Sequence, residues 1–138
     1  FLHWGHDISP EENQYQAGLS FLISSKKDQN FIGKDALKKI KNDKIKSRFA
    51  MFTLKNSKLG EPLLLHDEPI YLDNKIIGRT TSGNYSFNYK KNISFGYIDS
   101  QYSAEDLAQK SLFIEIAKKK YPAKLETKPL KDNRARLS

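Results

Sequence analysis

Pro69-Ile70-Tyr71-Leu72-Asp73-Asn74-Lys75-Ile76-Ile77-Gly78 holds two short strand-forming runs separated by a pair of residues. Asp-Asn tolerates the positive φ angles that a two-residue turn needs, so the stretch predicts a β-hairpin. Upstream, Ser47 to Leu54 (SRFAMFTL) is apolar on both faces, as a buried central strand requires. Asn56 to Leu65, with Gly60 and Pro62, reads as the loop between them. Downstream, Arg79 to Gly83 continues from the hairpin, and Ile93 to Ile98 (ISFGYI) is a further strand in which Gly96 lets a neighbour approach closely. Ser103 to Asp106 can start one helical turn, too short to weigh in the fold. Ser111 to Lys118 alternates, with Leu112, Ile114 and Ile116 on one side and Phe113, Glu115 and Ala117 on the other. Tyr121 to Thr127 supplies a partner through Ala123 and Leu125. Six or seven short strands with turns between them predict a mostly β chain, a small antiparallel barrel or sandwich, in which closure hides the sheet edges.

Before residue 46 the signals change from period two to helical ones. Phe1 to Ile23 reads FLHWGHDISPEENQYQAGLSFLI and begins without Met or polar lead-in, so Phe1 is read as an internal cut point. Ser9, Pro10 and Glu12 form a capping box with Pro at the first helical position, predicting a helical turn over Pro10 to Gln16 that Gly18 breaks. Leu19 to Ile23 is consistent with a buried strand, though periodicity leaves a helix open. Ser24 to Asn30 reads as a loop, and Lys34 to Asn42 as a short amphipathic helix with Ala36, Leu37 and Ile40 on its apolar face. Two domains are expected: residues 1–46, the end of a preceding lobe with its connecting helix, and residues 47–138, the β domain.

With 24 Lys+Arg against 16 Asp+Glu the chain carries +8, which suits an anionic partner. The lysines are dispersed, the ordinary pattern of a solvated surface. There is no Cys, and no apolar run long enough to span a bilayer, so no membrane partner is expected. Trp4 as an isolated residue reads as a core aromatic. His3 and His6 lack a third ligand at a recognisable spacing, so no metal site is assigned. Tyr85, Phe87 and Tyr89 beside Lys90 and Lys91 could stack bases, but alternate aromatics also pack one face of a sheet, and the segment lacks the consensus of an RNA-recognition sheet. Nucleic acid is the disfavoured reading. No Gly-rich phosphate loop and no Gly-x-Ser-x-Gly elbow is present, and the carboxylates form no acid/base pair.

The order of WGHDISPEENQYQAGLSF, FIGKDAL, EPIY, GRTTSGNYS, KKNISFGYI and YPAKLETKPL resembles the C-terminal part of the folate-dependent aminomethyltransferase family. That family includes the glycine-cleavage T-protein and the C-terminal portions of flavin-dependent dimethylglycine and sarcosine dehydrogenases. The likeness covers nearly the whole chain, and its joint occurrence of Ala17-Gly18-Leu19, Phe31-Ile32-Gly33-Lys34 and Thr81-Ser82-Gly83 is specific. It implies three lobes around a tetrahydrofolate pocket, with the last lobe a β-barrel. It further implies folate contacts at Trp4, Phe21 and Arg136, with Arg134 the alternative for the last. Trp4 stands where the family usually has Tyr, which keeps a stacking face and removes a hydroxyl. The start of the chain and the Thr80 to Ser86 stretch look more like the dehydrogenase branch. That branch implies FAD in an N-terminal domain absent here, an N-methyl or aminomethyl donor as substrate, the rest of its own polypeptide as partner, and no catalytic residue within this chain. The other branch is the aminomethyltransferase or a related demethylase without flavin. The expected location is the bacterial cytoplasm, or the mitochondrial matrix in a eukaryote.

Overall fold

The structure is a computed structural model that describes residues 2–23, 30–43 and 45–130. Six strands form a closed antiparallel barrel in the order β1-β4-β3-β2-β5-β6. They are β1 (Ser47–Leu54), β2 (Pro69–Leu72), β3 (Lys75–Ser86), β4 (Lys91–Asp99), β5 (Leu112–Ile116) and β6 (Lys119–Glu126). The predicted hairpin is β2–β3, turning at Asp73 with φ 54°. β1 lies between β4 and β6, which is why its second half, Phe52 to Leu54, is buried on both faces.

Alternation places Phe52, Ile70, Leu72, Ile98, Leu112, Ile114, Ala123 and Leu125 in one interior cluster. Closing so few strands requires bending, and β3 bends at two bulges. Against β2, Ile70 pairs Gly78 while Tyr71 pairs Ile76, which leaves Ile77 over. Against β4, Thr80 pairs Gly96 while Ser82 pairs Phe95, which leaves Thr81 over. The close approach expected at Gly96 is present, since a Cβ there would stand 2.4 Å from the Arg79 carbonyl oxygen.

Four readings change. Ser103 to Asp106 begins α2 (Ala104–Ala108), with the Ser103 hydroxyl accepting from the Asp106 N–H. Short as it is, α2 sets Leu107 into the core at 1% exposure. Leu19 to Ile23 is a 3-10 turn (Ser20–Leu22), not a strand. Its N–H groups are spent locally, Leu22 on Leu19 and Ile23 on Ser20. Pro10 to Gln16 is two linked turns rather than one helical turn. Ser9 pairs with Glu12 at 2.6 Å, and Asn13 then restarts the pattern by accepting from the Tyr15 and Gln16 N–H groups. Finally, Ala117 lies in the β5–β6 turn with φ 49° rather than on the strand. Helix α1 (Lys34–Asn42) forms as predicted, with Leu37 and Ile40 only half covered. The loop expected over Ser24 to Asn30 falls almost wholly outside the described residues.

Candidate functional site

Asp7 joins two stretches that are distant in sequence. Its carboxylate is 1% exposed and accepts from the Thr81 hydroxyl at 2.5 Å, the Ser82 hydroxyl at 3.0 Å and the His3 N–H at 2.8 Å. Neighbouring strand residues ordinarily point to opposite faces. The bulge at Thr81 breaks that alternation, so two consecutive hydroxyls meet one carboxylate. Gly83 makes room for the loop between β1 and β2, since a Cβ there would stand 2.7 Å from the Leu64 Cβ. The Tyr97 hydroxyl of β4 donates to the Asp7 carbonyl at 2.9 Å. Burial, with Glu12 and Asp7 nearby, pushes the Tyr97 phenol up to about 12, which keeps it a donor. Farther along, the Gln16 carbonyl accepts from the Phe49 N–H at 2.8 Å, and the Gln16 amide donates to the Ser47 hydroxyl at 3.2 Å. Three adjacent strands, β1, β4 and β3, thus each hold the segment before the barrel.

That anchorage shapes the Trp4 loop. Gly5, at φ 90°, lets the chain turn, and its N–H donates to the Ile8 carbonyl while Asp7 N–H returns to His3. Trp4 bridges to Ile8 through its backbone and leaves its indole 70% exposed. It is not the core aromatic that composition alone favours. Phe21, on the 3-10 turn, is 77% exposed. Among the described residues no ring contact links Trp4 to Phe21. Both are unspent aromatic faces, the kind of surface on which a flat heteroaromatic ring stacks, and that of Trp4 is carried on a loop fixed to the barrel. Arg134 and Arg136 lie outside the described residues.

All three histidines of the chain are neighbours. His3 stacks on His6 with centroids 4.5 Å apart, and His66 lies 6.0 Å from His6. His66 meets Asp67 at 2.9 Å, and its contact, with Arg79 adding to it, holds the Asp67 carboxyl below the usual range. No group of three metal-type ligands exists among the described residues. Tyr85, Phe87 and Tyr89 do not line one sheet face. Phe87 and Tyr89 belong to the β3–β4 turn, Tyr85 meets Phe87 edge to face at 5.5 Å, and the Tyr89 hydroxyl is bonded to the Leu130 carbonyl.

Residues 48–132 match the family model of the glycine cleavage T-protein C-terminal barrel domain. The chain belongs to the glycine cleavage T-protein C-terminal barrel family. Family relatives include the mitochondrial dimethylglycine dehydrogenase of Mus musculus, 34% identical over 130 residues that cover 94% of this chain and 14% of the relative. The 4-methylaminobutanoate oxidase (formaldehyde-forming) of Paenarthrobacter nicotinovorans is 33% identical over 132 residues, covering 96% of this chain and 15% of its own. The aminomethyltransferase of Alkaliphilus oremlandii is 33% identical over 124 residues, covering 86% of this chain and 32% of its own. The barrel family fold is also that of the glycine cleavage system aminomethyltransferase T from Bartonella henselae. It superposes with a TM-score of 0.71 at 18% identity, over 94% of this chain and 35% of that one. The chain therefore spans between about a seventh and a third of the relatives it matches. Asp7 was absent from the residues singled out by sequence; the hydroxyl-dense Thr80-Thr81-Ser82 run was the available signal.

Proposed function

We propose that this chain is the C-terminal part of a folate-dependent one-carbon enzyme and forms one wall of its tetrahydrofolate pocket. The observation that carries the reading is the Asp7 clamp, which fixes the Trp4 loop on the barrel with its indole bare. Trp4 and Phe21 would offer stacking faces to the pterin. Arg136, or Arg134, would take a glutamate carboxylate in the bidentate manner open to a guanidinium fork. Bound there, the reduced folate would accept a one-carbon unit. The chain's own part is to orient it beside the donor, a proximity effect. The indole N–H donates but cannot accept, so any hydrogen bond made by the residue 4 side chain is a donated one.

Residues 1–46 would close the preceding lobe and residues 47–138 form the terminal barrel. The narrower reading is an FAD-dependent dimethylglycine/sarcosine-type oxidoreductase, supported by two relatives whose names are dehydrogenase and oxidase. The aminomethyltransferase reading is supported by relatives at nearly equal identity. The gene sequence upstream separates them: a dinucleotide-binding Gly motif several hundred residues before Phe1 means flavin, and its absence means transferase. Either enzyme would work in the bacterial cytoplasm or the mitochondrial matrix.

In isothermal titration of the complete polypeptide that carries this chain with 5-formyltetrahydrofolate, Trp4→Ala is expected to weaken folate affinity about tenfold, a stacking-sized loss. Unchanged affinity in Trp4→Ala would remove the assignment.

A further inference from the structure

A cavity of about 530 Å³ opens between the loop from Asn56 to Leu65 and the β5–β6 turn. None of Asp7, Trp4, Phe21 or Thr81 lines it. On its wall is a carboxylate that nothing so far explains. Glu68 precedes β2 by one residue and, two before Ile70, takes the parity of the inward-facing Ile70 and Leu72. It is 9% exposed, and its Oε2 is buried without a hydrogen-bond partner. Burial pushes its carboxyl up. The backbone cannot swing to relieve it, because the Glu68 N–H donates to the Thr80 hydroxyl at 3.0 Å and the Thr80 N–H returns to the Glu68 carbonyl at 2.9 Å.

The Leu65 N–H and the nearby His66 favour the charged form, but burial outweighs them and one oxygen stays without a partner, a cost that a cation held near the carboxyl would offset. The rest of the lining specifies which cation. Lys58 and Lys119 also face the cavity, and neither forms an ion pair among the described residues. Lys119 instead sits over the Tyr121 ring, 5.3 Å from its centroid. With Glu61 on the exposed side, two cations and two carboxylates cancel, so the cavity is dipolar rather than charged. Two lysines repel a bare metal ion, and one buried carboxylate gives it too few ligands. Leu65 and Ile116 add an apolar wall.

We propose that this cavity binds a small zwitterion, its ammonium against Glu68 and its carboxylate against Lys58 and Lys119. From the cavity side the ammonium offsets the charge of the buried Glu68 carboxyl. A simple amine would meet the lysines unshielded, and a simple acid would meet Glu68.

The experiment follows methyl NMR signals of Leu65 and Ile116 in the full chain while glycine, β-alanine or 5-aminovalerate is added, with methylamine and acetate as single-charge controls. At least one zwitterion is expected to shift these signals saturably with a Kd of about 10 mM or tighter. Glu68→Gln, nearly isosteric, and Lys119→Ala, at an exposed position, are each expected to weaken it about tenfold. Binding is also expected to lower the Glu68 titration midpoint seen at its side-chain carboxyl carbon. The proposal is overturned if no zwitterion saturates, if methylamine or acetate binds as tightly, or if either variant binds like the parent chain.

Discussion

Asp7 holds the segment before the barrel through its side chain, and the donors it uses define what its loss would do. In Asp7→Ala the Thr81 and Ser82 hydroxyls and the His3 N–H lose their acceptor, a cost of about 3 kcal/mol for a buried charged group. Hydrogen exchange should show the loss locally, with amides of residues 3–17 opening while the barrel strands keep their protection. Trp4 anisotropy should fall with them. Tyr97 gives a pH signature at the same place. Its phenol ionises near 10 in the unfolded chain and near 12 in the folded one. Between those values the unfolded chain binds fewer protons, so stability falls as pH rises from 10 to 12. Tyr97→Phe should lose about 1 kcal/mol at neutral pH, the worth of the bond to the Asp7 carbonyl, and flatten that alkaline slope in chemical denaturation.

Elements differ in how far sequence reveals them, for physical reasons. The Asp73-Asn74 turn and the alternation of Leu112, Ile114 and Ile116 are local signals, and the structure places both as read. Leu19 to Ile23 misled because an apolar run makes a strand only where a neighbour supplies hydrogen bonds, and among the described residues none does. Asp7 could not be read from its own neighbours, because the hydroxyls that bury it lie 74 and 75 residues later. Trp4 and Phe21 enter the proposed pocket only through resemblance, since nothing in an exposed aromatic's own neighbours says what it waits for. Helix α2 was discounted for its length, yet a helix of five residues can plug a barrel if one side chain reaches the core. Leu107→Ala should cost about 3 kcal/mol by leaving a cavity, measured as a lower denaturant midpoint at unchanged slope. Ser103→Ala should cost only about 1 kcal/mol through the lost cap.

For the whole molecule, closure into one barrel and an excess of positive charge are separate properties. Closure follows from the bulges in β3 and from β1 pairing with both β4 and β6. The charge of +8 acts at longer range. If the pocket wall proposed above is correct, a polyglutamylated folate should bind the complete polypeptide more tightly than the monoglutamate at low salt. That advantage should shrink as ionic strength approaches about 0.15 M, where charges interact over only about 8 Å. Isothermal titration at two salt concentrations with both folates measures it, and affinity that ignores both salt and tail length would end the idea.

The extra residue at Thr81 works as a change of step in the chain. On either side of it β3 is read one position out of phase, so the strand's length there is itself information. A homologue lacking that residue could keep all six strands, and a simple alignment would record one small gap. It would nevertheless present a single hydroxyl to the carboxylate opposite, and the segment bearing the bare indole would be tied to β3 by one bond fewer.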